Sequence, residues 1–190
     1  MSAYKKTSID GVFEIKPVFH NDPRGYFYES FNEDEFKRET GIDFHVVQEN
    51  ISLSNFGVLR GLHFQKEPHE QAKLVRVLEG SVIDVAVDLR KDSKTFGKYV
   101  WINLTGDNHK QFFIPRGFAH GFLVLSDIAR FQYKVDDYWH PECEDGIAWD
   151  DKDIDFHWES YLHGRTPILS DKDISRKTLA EYKKEIQEKV

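Results

Sequence analysis

From about residue 11 to residue 150 the chain alternates short apolar and polar positions, and turn-forming residues close each run. Such alternation marks strands that bury one face. Residues 12–19 open the series, the stretch Asn21-Asp22-Pro23-Arg24-Gly25 reads as a turn, and residues 26–31 resume the pattern. Asn32 with Glu35 three positions on reads as a capping box, which predicts a short helix over 33–40 ended by Gly41. Residues 44–53 return to strand. The longest alternating run, 73–88, breaks at Glu79-Gly80, which predicts a hairpin between strands 73–78 and 81–89. Further strands are expected at 98–104, 111–114, 120–125 and 128–138. In the tail, Leu179, Tyr182 and Ile186 share one helical face, which predicts an amphipathic C-terminal helix packed on the strands or on a partner.

Many short antiparallel strands at this spacing predict a mainly β, jelly-roll double-sheet barrel with short helices and a C-terminal helix. Without repeats, low-complexity segments or linkers, residues 1–190 read as a single domain. Its jelly-roll core is 11–150, a segment over 151–176 completes the site, and 177–190 form the helix. The composition, 39% apolar and 31% charged, fits a soluble globular chain, and no apolar run approaches membrane-spanning length. The net charge of −7 argues against general nucleic-acid binding, although local arginines can still receive a small anion. A lone cysteine, Cys143, and a start without an apolar leader lead us to expect a cytoplasmic protein.

Two segments hold the candidate chemistry: Arg60-Gly61-Leu62-His63-Phe64-Gln65 and Pro115-Arg116-Gly117-Phe118-Ala119-His120-Gly121. The second is similar to half of the cupin metal signature. In the first, however, Gln65 stands where a second histidine would be, and Glu67, His69 and Glu70 follow across Pro68. A divalent ion requires three or four convergent ligands, so no metal is expected at these two histidines. Alternation places Lys73 on the face of Val75 and Val77, where an ammonium would be partly desolvated and able to meet an oxyanion. Tyr133 alternates with core-type residues, so its hydroxyl is a candidate acid. Arg24, Arg60 and Arg116 stand beside turns or strand ends, where guanidinium groups suit phosphates.

Taken in order with Asp84-Val85-Ala86-Val87-Asp88-Leu89-Arg90, Ser93-x-Thr95-Phe96-Gly97 and Leu169-Ser170-x-Lys172-Asp173, these segments resemble the dTDP-4-dehydrorhamnose 3,5-epimerase family over about residues 11–173. The resemblance implies a metal-free, cofactor-independent cupin-type homodimer. It would convert dTDP-4-dehydro-6-deoxy-D-glucose to dTDP-4-dehydro-L-rhamnose. It also implies roles: His63 as base, Tyr133 as acid, Lys73 as enolate stabiliser and Asp173 as the carboxylate that orients His63. Arg24 and Arg60 would contact the diphosphate. Glu29, Gln48, Glu49 and Asn50 would lie on the thymidine side, some of them from the dimer mate. His120 would line the sugar site, Glu144 and Lys172 would contact ligand, and Asp84 would hydrogen-bond a site histidine. Trp139 stands where the family usually has a second tyrosine, so epimerisation at one carbon remains an alternative. A keto-isomerase and a non-catalytic sugar-nucleotide binder are the others. Phe64, often tyrosine in the family, is a milder departure.

Overall fold

The computed structural model describes residues 2–188. Six strands form one antiparallel sheet in the order β1 (Ala3–Lys6), β2 (Phe13–Lys16), β10 (Gln111–Ile114), β7 (Lys73–Glu79), β12 (Ile128–Val135), β5 (Gln48–Asn55). Five form the other: β13 (Glu144–Gly146), β6 (Leu59–Gln65), β11 (Phe118–Val124), β8 (Ser81–Asp88), β9 (Tyr99–Thr105). A separate hairpin, β3 (His20–Asp22) with β4 (Gly25–Phe27), makes a third, two-stranded sheet. This is the expected double-sheet barrel. Where the two large sheets face each other, Val75, Val77, Phe131 and Ala129 of one meet Val82, Ala86, Phe118 and Phe122 of the other in a single apolar core.

The outer faces are covered differently. Helix α1 (Glu33–Thr40) buries Phe36 with Phe44 against Phe13, Leu74 and Phe113 on the six-stranded sheet. Asn32 caps it by accepting from the Glu35 N–H, and Gly41 ends it in a left-handed turn at φ 75°. The Glu35 carboxylate bonds the Ser2 N–H, so it does not serve as the second half of a capping box. Residues 147–169 cover the outer face of the five-stranded sheet, where Ile147, Ile154, Trp158 and Leu162 pack on Leu59, Leu62, Val85 and Leu123. Helix α3 (Leu179–Glu188) seats Leu179 and Tyr182 there, with Tyr182 edge-on to Phe64 at 5.1 Å, as its periodicity predicts. Residues 189 and 190 of the expected helix lie outside the described residues.

Two expectations are corrected. Glu79-Gly80 is not a hairpin. Strand β7 pairs with β10 and β12, whereas β8 pairs with β11 and β9, so the chain turns a corner from one sheet to the other. Gly80 permits this at φ 84°, because a Cβ there would lie 2.0 Å from the carbonyl oxygen of Ile128. The strand expected at 44–53 begins only at Gln48, since Phe44 is drawn into the α1 core.

One contact between strands fixes the interior. On β6 and β11, His63 lies opposite His120 and Arg60 opposite Phe122, so three steps on one strand match two on the other. This bulge puts Arg60 and His63 on the same, inward face, which strict alternation forbids. It forms where Gly61 lies against Gly121: a Cβ on Gly61, which sits at φ 143°, would be 2.5 Å from the Gly121 Cα. We predict that Gly61→Ala destabilises the protein by about 2–5 kcal/mol, combining backbone strain and overpacking. Gly41→Ala, where a Cβ meets nothing within 4 Å, should cost about 1–2 kcal/mol. Urea unfolding of both variants checks the difference.

Candidate active site

The inward residues at one end of the barrel form a polar cluster. From the five-stranded sheet come His63 and Arg60 on β6, His120 on β11 and Asp84 on β8. Lys73 on β7 and Tyr133 on β12 come from the facing sheet. Cross-strand pairing sets their positions: His63 opposite His120, Tyr133 opposite both Val75 and Asn50, and Lys73 opposite Val135. Lys73 opens its strand on the same face as Val75 and Val77, and Tyr133 packs against the inter-sheet core. Arg60 Nε donates to Ser54 Oγ on β5 at 3.0 Å.

Asp173 joins from 110 residues away. The segment that covers the outer face returns beside β6, with Leu59 N–H bonded to the Ile168 carbonyl at 3.0 Å. A short helix, α2 (Asp171–Ile174), starts there, capped by Ser170. Its buried Asp173 binds Nε2 of His63 through Oδ1, while Oδ2 accepts from Ser170 Oγ at 2.8 Å. Burial alone would raise the Asp173 pKa, but the bonds from His63 and Ser170 hold it below the usual range. A carboxylate so placed orients the imidazole and favours one tautomer.

The other charges are similarly interlocked. His120 Nε2 lies 3.0 Å from both oxygens of the fully buried Asp84. Burial lowers the His120 pKa and raises that of Asp84, each partly opposed by the other's charge. Desolvation pushes Lys73 down to about 8, against the pull of Asp84 and Glu144. Desolvation raises Tyr133, so it is a protonated donor at neutral pH. Glu144 on β13 is held by Arg176 Nη2 at 2.9 Å and the Trp139 indole N–H at 3.2 Å, with Lys172 at 3.5 Å. Trp139 is 54% exposed at the rim, and its backbone N–H donates to Gln48 Oε1. Gln48 in turn donates to Asn50 Oδ1.

The structure therefore gathers His63, Asp173, Lys73, Tyr133, Arg60, His120, Gln48, Asn50, Trp139, Glu144 and Lys172 around one mouth. It does not bring Arg24, Glu29 or Glu49 to the same place. Arg24 is paired with its neighbour Asp22 on the β3–β4 hairpin. The segment after that hairpin, carrying exposed Glu29, crosses the outer face of the six-stranded sheet through Tyr28 on Arg76 and the Ser30 carbonyl on Gln111. Glu49 points outward from β5 to Lys134 at 2.7 Å. Sequence reasoning missed Arg176, which locks Glu144 and packs over Gly146, where a Cβ would meet its Cδ at 2.8 Å. It also passed over Ser170 as a cap, although Ser170-x-x-Asp173 is a helix-start signature.

Residues 6–181 match the family model described as dTDP-4-dehydrorhamnose 3,5-epimerase. The dTDP-4-dehydrorhamnose 3,5-epimerase of Methanothermobacter thermautotrophicus is 50% identical over 176 residues, covering 93% of this chain and 94% of that one. The chain belongs to this epimerase family. A solved dTDP-6-deoxy-D-glucose-3,5-epimerase from Legionella pneumophila, in complex with dTDP-4-keto-L-rhamnose, is 46% identical with a TM-score of 0.89, covering 96% of this chain and 97% of that one. A 3'-monoepimerase from Streptomyces bikiniensis, in complex with dTDP-quinovose, is 31% identical with a TM-score of 0.84, covering 96% of each chain. The enzyme is thus an isomerase of the dTDP-rhamnose type on a cupin-like barrel.

Because Lys73 titrates near 8, its positive charge is lost as pH rises through that value. The expected kcat/KM profile has an alkaline limb near pH 8. Lys73→Met should remove the limb and lower kcat/KM by about 100-fold or more, the scale for one lost oxyanion donor. A pH series on both proteins tests this.

Proposed function

We propose that the enzyme inverts C3 and C5 of dTDP-4-dehydro-6-deoxy-D-glucose to give dTDP-4-dehydro-L-rhamnose, without metal or organic cofactor. The observation that carries this reading is that His63 on β6 and Tyr133 on β12 stand on facing sheets. The C4 ketone acidifies the hydrogens on both neighbouring carbons. With Nε2 held by Asp173, Nδ1 of His63 takes the C–H proton. The electron pair moves into the ring bond and on to O4, where the Lys73 ammonium meets the enolate. Tyr133 then gives its hydroxyl proton to the same carbon from the opposite face, and solvent restores both groups. Each positioned acid–base contribution of this kind is worth on the order of 10²–10⁴ in rate.

Arg60 binds the diphosphate at the mouth, Lys172 and Glu144 contact the ligand there, His120 lines the sugar site, and Gln48 and Asn50 meet the thymidine. Arg24, Glu29 and Glu49 serve in a homodimer, where the β3–β4 arm of one chain reaches the mouth of its mate. The exposure of Tyr26, Phe27, Ile51 and Leu53 supports a covered surface there. Among the described residues no helix is long and apolar enough to cross a membrane. The lone Cys143, buried and reduced, agrees with a cytoplasmic setting.

Trp139 favours a second reading, inversion at one carbon only. It stands at the rim where the resemblance leads us to expect a tyrosine, and its indole N–H is committed to Glu144. The two readings separate in heavy water with the dTDP-4-dehydro-6-deoxy-D-glucose substrate, the product being trapped by a 4-ketoreductase. Deuterium at both C3 and C5 with L-rhamno product is expected, and His63→Ala should abolish both. Label at one carbon establishes the mono-epimerase. Absence of label returns the chain to a keto-isomerase or a binding protein.

A further inference from the structure

Outside the proton-transfer cluster, two loops beside the mouth bring together His69, Asp137 and His140. One donor atom from each lies within 4.8 Å of the others. His69 Nδ1 faces Asp137 Oδ2 at 3.1 Å, and His140 Nδ1 faces Glu142 Oε1 at 3.0 Å. The two imidazoles stack at 3.5 Å with planes 11° apart. The same glutamine anchors both histidine backbones. Gln65 Nε2 donates to the carbonyls of His69 at 2.6 Å and Tyr138 at 3.1 Å, and its Oε1 accepts from the His140 N–H at 2.6 Å. Gln71 adds a bond to the Asp137 carbonyl at 2.8 Å. Donor residues from two loops are thus set on a common support before any ligand arrives.

We propose that His69, Asp137 and His140, with solvent completing the coordination, form a binding site for a divalent transition-metal ion of the zinc kind. Tetrahedral zinc with bonds of about 2.0–2.1 Å places its donors about 3.3 Å apart, close to the 3.1 Å between His69 Nδ1 and Asp137 Oδ2. Two imidazoles and one carboxylate are a borderline donor set that suits zinc, nickel or copper rather than magnesium or calcium. The ion takes the place of the proton shared between His69 and Asp137 and neutralises that carboxylate. Arg116 remains on Asp136 at 2.9 Å, outside the donor set. The rings must splay from their near-parallel stack for both lone pairs to meet one ion, and the 33% and 30% exposure of the two side chains leaves room for it. Trp139 lies between two of the donors in sequence, so an occupied site ties the aromatic rim of the mouth in place. This ion takes no part in the proton transfers.

Calorimetric titration of the chelator-stripped enzyme with Zn²⁺ alone tests the site. One equivalent per chain is expected. His140→Ala and Asp137→Asn should each weaken binding about tenfold or more. His45→Ala, which alters an exposed histidine paired with Glu33, should leave it unchanged. Co²⁺ added to the wild type should give a tetrahedral visible spectrum that His140→Ala lacks. Failure of the wild type to bind a stoichiometric ion overturns the proposal. So does a His140→Ala or Asp137→Asn variant that remains folded by circular dichroism and titrates like the wild type.

Discussion

The contact of Gly61 with Gly121 is the constraint on which the site depends. With no side chain on either residue, β6 and β11 approach closely enough for β6 to carry one extra residue against its partner. That extra residue rotates the strand so that Arg60 and His63 both face the interior. Leu59, Leu62 and Phe64 are left to pack on the outer core. Without the bulge, one of the two polar residues would have to enter the apolar layer formed by Ile147, Trp158 and Leu162. The same glycines therefore serve packing on one face and chemistry on the other.

Around this point the charges form a connected series. Arg176 holds Glu144, and Glu144 and Asp84 both oppose the desolvation of Lys73. Asp84 is in turn bonded to His120. An isolated buried ammonium would be costly, and the carboxylates of Asp84 and Glu144 keep Lys73 chargeable near neutral pH. The His63–Asp173 pair belongs to the five-stranded sheet, the wall that faces Lys73 and Tyr133, and is completed by Ser170. In the proposed mechanism, separate walls let His63 and Tyr133 approach opposite faces of a flat intermediate, an arrangement that a single strand, or neighbours in one sheet, would not provide.

Much of this could be read from the chain because it follows local rules. The alternation in 73–77 places Lys73 inward, the same rule places Tyr133, and Asn32 with Gly41 bounds α1 within a residue. Glu79-Gly80 misled because a glycine with positive φ serves a corner between sheets as well as a hairpin. Only long-range pairing distinguishes the two, and neighbouring residues do not encode it. Arg176 was invisible for a related reason: its partner Glu144 is 32 residues away, and nothing near either residue signals the pairing. For Glu49 the rule applied directly, since it alternates with Gln48 and Asn50 and must face outward when they face in. Arg24 lies on the separate β3–β4 hairpin and Glu29 on the outer face of the six-stranded sheet, so alternation along the barrel strands seats neither at the mouth.

The most direct test of the two-walled arrangement is Tyr133→Phe assayed in heavy water with dTDP-4-dehydro-6-deoxy-D-glucose. If His63 and Tyr133 act from opposite faces, the variant still exchanges the substrate's own C–H for deuterium, while inverted product falls by about 100-fold or more. Inversion at the wild-type rate would contradict the account. So would loss of exchange and inversion to the same extent, since the tyrosine would then be no separate acid.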